Sequence, residues 1–215
     1  LVKDRLLEIL HKYLHLQVER DDKGNVKSER MIFPRYHQLD VVTKLLADVK
    51  ENGSGRNYLI QHSAGSGKSN SIAWLAHRLS GLHDSKDEKI FQSVIIVTDR
   101  RVLDSQLQNT VYQFDHVEGV VQKIDKNAKQ LQEAIEAGTG IIITTLQKFP
   151  VIYKEVNSAN KRFAVIIDEA HSSTAGKDMA AVTMSLGSGE QVEADVEDMI
   201  SDEIKRNGKQ ANVSM

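Results

Sequence analysis

A glycine-rich segment near residue 65 has the residue types and spacing of a phosphate-binding loop. The segment reads His62-Ser63-Ala64-Gly65-Ser66-Gly67-Lys68-Ser69. In such a loop, successive backbone N–H groups point at phosphate oxygens, and the start of the following helix favours negative charge. We expect Lys68 to reach the β- and γ-phosphates of ATP and the Ser69 hydroxyl to ligate Mg²⁺. The usual pattern begins with glycine, and His62 occupies that position here.

A second group of chemically active residues ends an apolar segment further along the chain. Val165-Ile166-Ile167 is followed directly by Asp168-Glu169-Ala170-His171. A carboxylate at the end of a buried strand can hold the same Mg²⁺ that Ser69 ligates, which is the role we predict for Asp168. Glu169 could then orient and deprotonate the attacking water. The predicted catalytic residues for ATP hydrolysis are therefore Glu169, Asp168 and Lys68.

Short apolar runs alternate with helical stretches and would position these two motifs. The predicted strands are Asn57–Gln61, Val94–Val97, Ile141–Ile143 and Phe163–Ile167. Between them lie predicted crossover helices at Ser69–Leu79, Val102–Tyr112 and Ala128–Ala137, with Gly138 as a helix stop. Continuous apolar runs suit strands that are buried on both faces of a parallel sheet. The predicted fold class is α/β, a P-loop lobe whose mostly parallel sheet has helices on both faces.

The regions flanking this core have different patterns. Residues 1–20 have a helical spacing of leucines, and residues 21–25 read as a polar turn. A further helix is predicted behind Pro34 and ends at Gly53. Trp74 is predicted to be a core residue. From Gly187 onward acidic residues crowd a stretch that we interpret as an acidic amphipathic helix.

The composition limits the classes of protein that are possible. The 215 residues are 40% hydrophobic and 27% charged, which is ordinary for a soluble globular protein. No apolar run approaches the ~20 residues that span a bilayer, so no membrane partner is expected. With no cysteine, disulfides, thiolate zinc sites and cysteine nucleophiles are excluded, which fits a cytoplasmic protein. The net charge of −2 implies that any nucleic-acid contact uses a local patch.

The two motifs together resemble motifs I and II of superfamily 2 helicases of the DEAD/DEAH type. Other segments match in the same order: Arg35-Tyr36-His37-Gln38 resembles the upstream glutamine motif, Val97–Leu103 with Gln106 resembles motif Ia, and Ile143–Leu146 resembles motif Ib. The resemblance implies a RecA-like lobe in which Gln38 reads the adenine edge. It also implies that the nucleotide-binding residues are Gln38, Ser63, Ala64, Gly65, Ser66, Gly67, Lys68 and Ser69.

Within that superfamily, the amino-acid sequence of several segments looks most like that of the R (motor) subunit of type I restriction enzymes. The segments are Gln61–Ser69, Thr98-Asp99-Arg100-Arg101 and Thr144–Phe149. This resemblance implies ATP-driven translocation on double-stranded DNA, in a restriction endonuclease that also contains specificity and methyltransferase subunits. Motif Ia and Ib residues of such lobes meet the sugar–phosphate backbone. The predicted DNA contacts are Thr98, Arg100, Arg101 and Thr145.

The resemblance also suggests how the chain is divided. We predict an N-terminal helical or linker segment at residues 1–30, the ATP-binding lobe at 31–186 and an acidic helical extension at 187–215. Motif III, a second lobe with its arginine finger and an upstream nuclease domain are expected in the parent protein but not in these residues. We therefore interpret the chain as a fragment that binds Mg·ATP or ADP weakly and hydrolyses ATP at a rate close to background.

Two other functions remain open at this point. The chain could belong to a different superfamily 2 DNA or RNA helicase. It could also bind nucleotide as a structural domain, with the acidic helix at residues 190–206 as a docking surface.

Overall fold

The computed structural model describes residues 3–21, 23–63, 65–98, 105–114, 119–152, 161–168, 182, 185 and 186. The chain forms two compact units. The first comprises Leu1–Phe91 with Asp104–Val121, and the second comprises Gln92–Leu103 with Gln122–Met215. Within the described ranges, no helix is both long and apolar enough to cross a membrane.

The first unit combines four helices with a β-hairpin. Its elements are α1 (Lys3–Lys12), β1 (His15–Arg20), β2 (Val26–Ile32), α2 (Tyr36–Asn52), α3 (Lys68–Ser80) and α4 (Ser105–Gln113). As predicted, α2 ends at Gly53, whose N–H donates to the carbonyl of Val49. The predicted helices behind Pro34 and after the glycine loop are both confirmed.

Trp74 is the centre of the core of this unit. Its side chain is fully buried, and its indole N–H donates to the carbonyl oxygen of Tyr13 over 2.9 Å. The rings of Tyr13, His15 and Phe114 lie around it, with centroids 5.6–6.2 Å from the indole. The prediction of Trp74 as a core residue is therefore confirmed.

The predicted helix over residues 1–20 is correct only in its first part. The helix ends at Lys12, and from His15 the chain forms β1, which pairs antiparallel with β2. The predicted turn causes this change, because the Asp21 carboxylate accepts hydrogen bonds from the backbone N–H groups of Lys23 and Asn25. The chain therefore reverses, and β1 meets β2.

The predicted strand at Asn57–Gln61 is wrong. These five residues have no regular secondary structure, all are exposed, and Leu59 is 90% exposed. A β-branched or aromatic run favours a strand only where a neighbouring strand completes its hydrogen-bond ladder. The described residues provide no such neighbour here, so this segment enters the glycine loop as an extended coil.

The second unit is built on a four-stranded sheet. Its elements are β3 (Ser93–Thr98), β4 (Val121–Lys123, which begins at the unit boundary), α5 (Ala128–Ala137), β5 (Ile141–Thr145), a 3₁₀ turn (Leu146–Lys148), α6 (Phe149–Ile152) and β6 (Phe163–Ile167). The strand order is β4-β5-β3-β6, and β3 pairs parallel with both β5 and β6. Three predicted strands and the α/β fold class are confirmed.

The central strands of this sheet are buried along their whole length. Every residue of β3 and β5 is buried, as continuous apolar runs predict. Helix α5 packs its Leu131 and Ile135 against this core. It ends, as predicted, at Gly138, which adopts a left-handed φ of +72°.

Strand β6 lies at the edge of the sheet. In the described part of the chain, only β3 pairs with it. Its five residues, Phe163 to Ile167, are all apolar, none of them is fully buried, and Val165 is 36% exposed. The acidic helix predicted after Gly187 lies outside the described residues.

Candidate nucleotide-binding site

The glycine loop leads directly into α3, with Lys68 and Ser69 as its first two residues. Gly65 and Gly67 have φ of +73° and +83°, a left-handed conformation that glycine adopts with little strain. At Gly67 a second constraint applies, because an added Cβ would lie 2.6 Å from Nε2 of Gln38. Glycine is therefore required at position 67 for both conformation and space. Ala64 lies outside the described residues.

The N-terminal end of α2 holds the backbone carbonyl groups of the loop. The buried Gln38 carboxamide donates from Nε2 to the carbonyl oxygens of Ser66 (3.2 Å) and Gly67 (2.9 Å). The same carboxamide accepts, at Oε1, the backbone N–H of Arg35 over 2.8 Å. His37 Nε2 lies 3.2 Å from the Ser66 carbonyl, and the Arg35 guanidinium donates to the Gly65 carbonyl over 3.4 Å. Three successive carbonyl groups thus face α2.

This arrangement fixes the direction of the N–H groups on the other side of the loop. In a trans peptide, the C=O and the following N–H point in opposite directions. Since Gln38 holds the carbonyls of Ser66 and Gly67, the N–H groups of Gly67 and Lys68 point away from α2. The first N–H groups of a helix have no acceptor inside it, so they add to the same anion-binding surface. The loop therefore has the geometry of an anion site.

Gln38 was predicted to read the adenine edge. Its amide oxygen and amide nitrogen are both occupied by backbone groups in this structure. Adenine recognition by Gln38 stays a prediction, and it would require Gln38 to exchange at least one of these bonds. The contacts of Arg35 and His37 with the loop were not predicted, because they join residues about thirty positions apart and leave no periodic signal.

Histidine 62 gives the loop an unusual electrostatic environment. Burial lowers the pKa of the ring, and the nearby charges of His37 and Lys68 lower it further. Its Nδ1 lies 3.1 Å from the Ser66 hydroxyl, and its ring centroid lies 5.8 Å from that of His37. Because the pKa lies below its usual value, the ring is neutral at neutral pH.

In the second unit, three predicted site residues lie at the same end of the sheet, where the parallel strands have their carboxyl ends. Asp168 follows β6, and its backbone N–H donates to the Val97 carbonyl over 2.9 Å, which extends the ladder by one residue. Thr98 and Thr145 are register partners at the ends of β3 and β5. Ligands of open α/β sheets bind at this end of the strands.

Of the four predicted DNA contacts, the structure describes Thr98 and Thr145. Thr98 and Thr145 are only 3% and 5% exposed, so their side chains offer almost no surface to a DNA backbone in this conformation. Arg100 and Arg101, and the predicted base Glu169, lie outside the described residues. Their roles, and the sharing of one Mg²⁺ by Ser69 and Asp168, stay predictions.

A glycine loop that opens a helix, in the first unit, and a carboxylate at the end of a parallel strand, in the second, are each typical of the class of P-loop ATPases. Residues 37–201 match the family model of the SWI2/SNF2 ATPase. The match covers most of the chain, and the chain belongs to this family. The resemblance to a helicase-type ATPase lobe is thereby confirmed.

The relatives agree with this assignment. The chain is 30% identical over 166 residues to the type I restriction enzyme HindI endonuclease subunit of Haemophilus influenzae, which confirms the resemblance to that class of protein. This alignment covers 74% of the chain and 15% of the relative, so the chain spans a small part of that protein's length. The crystal structure of the UvsW helicase from bacteriophage T4 matches the fold with a TM-score of 0.53 and 16% identity. That match covers 86% of this chain and 55% of UvsW.

Proposed function

We propose that this chain binds Mg²⁺ and ATP at the glycine loop and forms the motor lobe of a DNA translocase of the type I restriction class. The observation that carries the proposal is the pair of hydrogen bonds that Gln38 donates to the loop carbonyls of Ser66 and Gly67. These hydrogen bonds direct the N–H groups of Gly67 and Lys68 away from α2, as phosphate binding requires. Membership of an ATPase family and the similarity to a restriction endonuclease subunit support it.

The site residues take the roles expected for phosphoryl transfer. Lys68 contacts the β- and γ-phosphates, and the Ser69 hydroxyl is one ligand of Mg²⁺. Asp168 supplies a carboxylate ligand to the same ion, and Glu169 orients and deprotonates the water that attacks the γ-phosphate. When nucleotide is bound, Gln38 reads adenine with its amide oxygen in place of the bond from the Arg35 N–H, while its amide nitrogen still holds the loop carbonyls.

The substrate that the motor moves along is double-stranded DNA. Arg100 and Arg101 contribute charge at the predicted motif Ia, and Thr98 and Thr145 are register partners at the ends of β3 and β5. Contacts to phosphates hold the protein on DNA without reading its sequence. In the whole protein, specificity and methyltransferase subunits would supply sequence recognition, and the assembly would work in the cytoplasm.

The lobe itself is assigned to residues 31–186, between an N-terminal segment at 1–30 and an acidic extension at 187–215. The first boundary falls inside β2, so the hairpin joins the two segments covalently and by strand pairing. Movement of this lobe against a second RecA-like lobe would couple ATP hydrolysis to translocation in the full-length protein.

Equilibrium titration with a fluorescent ATP analogue tests nucleotide binding. We expect Mg²⁺-dependent binding by the 215-residue chain and a loss of roughly 10- to 100-fold in affinity for K68A, since a hydrogen bond to a charged group is removed. Lys129, an exposed lysine on α5, provides the matched control K129A, which should bind as the unmodified chain does. Equal affinity of K68A and K129A would contradict the proposal.

A further inference from the structure

We infer that His62 is a positioning residue of the phosphate loop, which acts through the hydroxyl group of Ser66 and pre-orders the loop for nucleotide. The inference rests on the proposed nucleotide site and assigns a role to a residue that departs from the usual loop pattern. Glycine at position 62 would have no side chain with which to hold Ser66.

Ser66 is fixed at two points by two histidines. Its hydroxyl lies 3.1 Å from Nδ1 of His62, and its carbonyl oxygen lies 3.2 Å from Nε2 of His37. A carbonyl oxygen only accepts, so His37 carries its proton on Nε2 in this contact. Ser66 is 8% exposed, so water has little access to its own hydroxyl and carbonyl oxygens.

The position of Ser66 explains why such anchoring matters. It lies between Gly65 and Gly67, which both adopt left-handed φ values and have the greatest backbone freedom when unconstrained. The orientation of the Ser66 carbonyl determines where the Gly67 N–H points. A side chain that restrains Ser66 therefore reduces the entropy that the loop loses when it binds phosphate.

The surroundings of His62 favour the neutral ring that this contact uses. The charged and titratable groups that face it are His37 from α2 and Lys68 from α3. A second positive charge at His62 would be repelled by Lys68. The neutral ring can hydrogen-bond the Ser66 hydroxyl in either tautomer.

Nucleotide affinities of H62A, H62N, S66A and the double variant H62A/S66A test the inference. We expect H62A to weaken binding roughly three- to tenfold, the effect of one lost hydrogen bond. Asparagine places an amide where His62 has Nδ1, so H62N should bind within about twofold of the unmodified chain. If His62 acts through Ser66, adding H62A to S66A should change the affinity by less than about twofold. The exposed His83 provides the control H83A.

Nitrogen NMR of the histidine rings gives a readout that needs no nucleotide. The Nδ1 resonance of His62 should shift in S66A and stay unchanged in S54A, which alters an exposed serine between two glycines. Independent effects of H62A and S66A on affinity, or an unchanged Nδ1 resonance in S66A, would overturn the inference. Failure of the unmodified chain to bind nucleotide would overturn the proposed function instead, because the NMR result judges the His62–Ser66 contact separately.

Discussion

Gly67 is the residue at which the backbone and the packing of the loop constrain each other most closely. Its left-handed φ directs the chain from the loop into α3, and its missing side chain leaves room for the Gln38 carboxamide. That carboxamide in turn orients the carbonyls of Ser66 and Gly67. A change at this one position therefore affects the loop conformation and its support together.

We expect G67A to abolish nucleotide binding and to destabilise the chain. A side chain at a left-handed φ costs about 1–2 kcal/mol, and displacement of Gln38 adds to this cost. Thermal melting and nucleotide titration of the same samples measure both effects. Gly81 provides the control G81A, since its φ is −105° and the nearest atom to an added Cβ is 3.9 Å away. Binding by G67A at the level of G81A would contradict this expectation.

The lowered pKa of His62 predicts a dependence of stability on pH. The folded state favours the neutral ring, so its full contribution is present above the ordinary pKa of 6.5. This contribution decreases as the pH falls below 6.5 and through the lowered pKa of the folded state. Urea unfolding at about pH 7.5 and about pH 5.5 should show a smaller acid loss for H62N than for the unmodified chain. An equal acid loss in both proteins would assign the effect to other groups.

Helix α3 connects the phosphate loop to the aromatic core of its unit. The loop lies at its first residues, and Trp74 lies almost two turns later, bonded to the carbonyl of Tyr13. Arg78, one turn further on, forms an ion pair with Glu8 of α1 over 2.7 Å. The N-terminal residues therefore stabilise the helix whose first turn carries Lys68 and Ser69.

Substitutions of Trp74 measure how much its packing and hydrogen bond contribute to the free energy of unfolding. W74A should cost about 3–5 kcal/mol through the cavity that it leaves. W74F retains an aromatic ring beside Phe114 but loses the bond to Tyr13, so we expect a smaller cost of about 0.5–1.5 kcal/mol. Shifts of the urea midpoint give both values. The control L59A changes a side chain that is 90% exposed and should stay within about 0.5 kcal/mol. Equal effects of W74A and L59A would exclude Trp74 as a core residue.

The local sequence pattern predicted those helices and strands that are marked by signals within their own residues. Strand β3, helix α5 and the end of α5 at Gly138 were all predicted correctly, because apolar continuity, helical spacing and a helix stop are local signals. Asn57–Gln61 has an equally good strand pattern but no neighbouring strand in the described residues. The β1–β2 hairpin was missed because Leu16 of β1 continues the helical spacing of the leucines before it. Pairing partners are distant in sequence, so local pattern cannot predict them.

The candidate site was predictable to a similar extent. The spacing of the loop glycines and Lys68 is enough to predict a phosphate-binding loop. The position of Asp168 at the end of a strand follows from the apolar run before it. The support from Arg35, His37 and Gln38 could not be predicted from spacing, since it depends on how α2 packs against the loop. The burial of Thr98 and Thr145 likewise depends on the assembled sheet.

At the scale of the whole molecule, we expect nucleotide binding and ATP hydrolysis to be separable. Loss of an arginine finger typically costs ~10³–10⁵ in rate, and we propose that a second lobe supplies that residue in the full-length protein. The 215-residue chain should therefore bind Mg·ATP, while phosphate release stays near background with or without duplex DNA. A malachite-green assay of phosphate, with K68A as the blank, measures this. Robust DNA-stimulated turnover by the chain would contradict the expectation.

The edge strand β6 has a practical consequence for work with this chain. Within the described residues only β3 pairs with this strand, its side chains are all apolar, and it contains no lysine or proline that would discourage a second strand. Concentrated samples should therefore self-associate through edge-to-edge strand addition. Dilute solutions, or a soluble fusion partner, will be needed before binding constants reflect a single molecule.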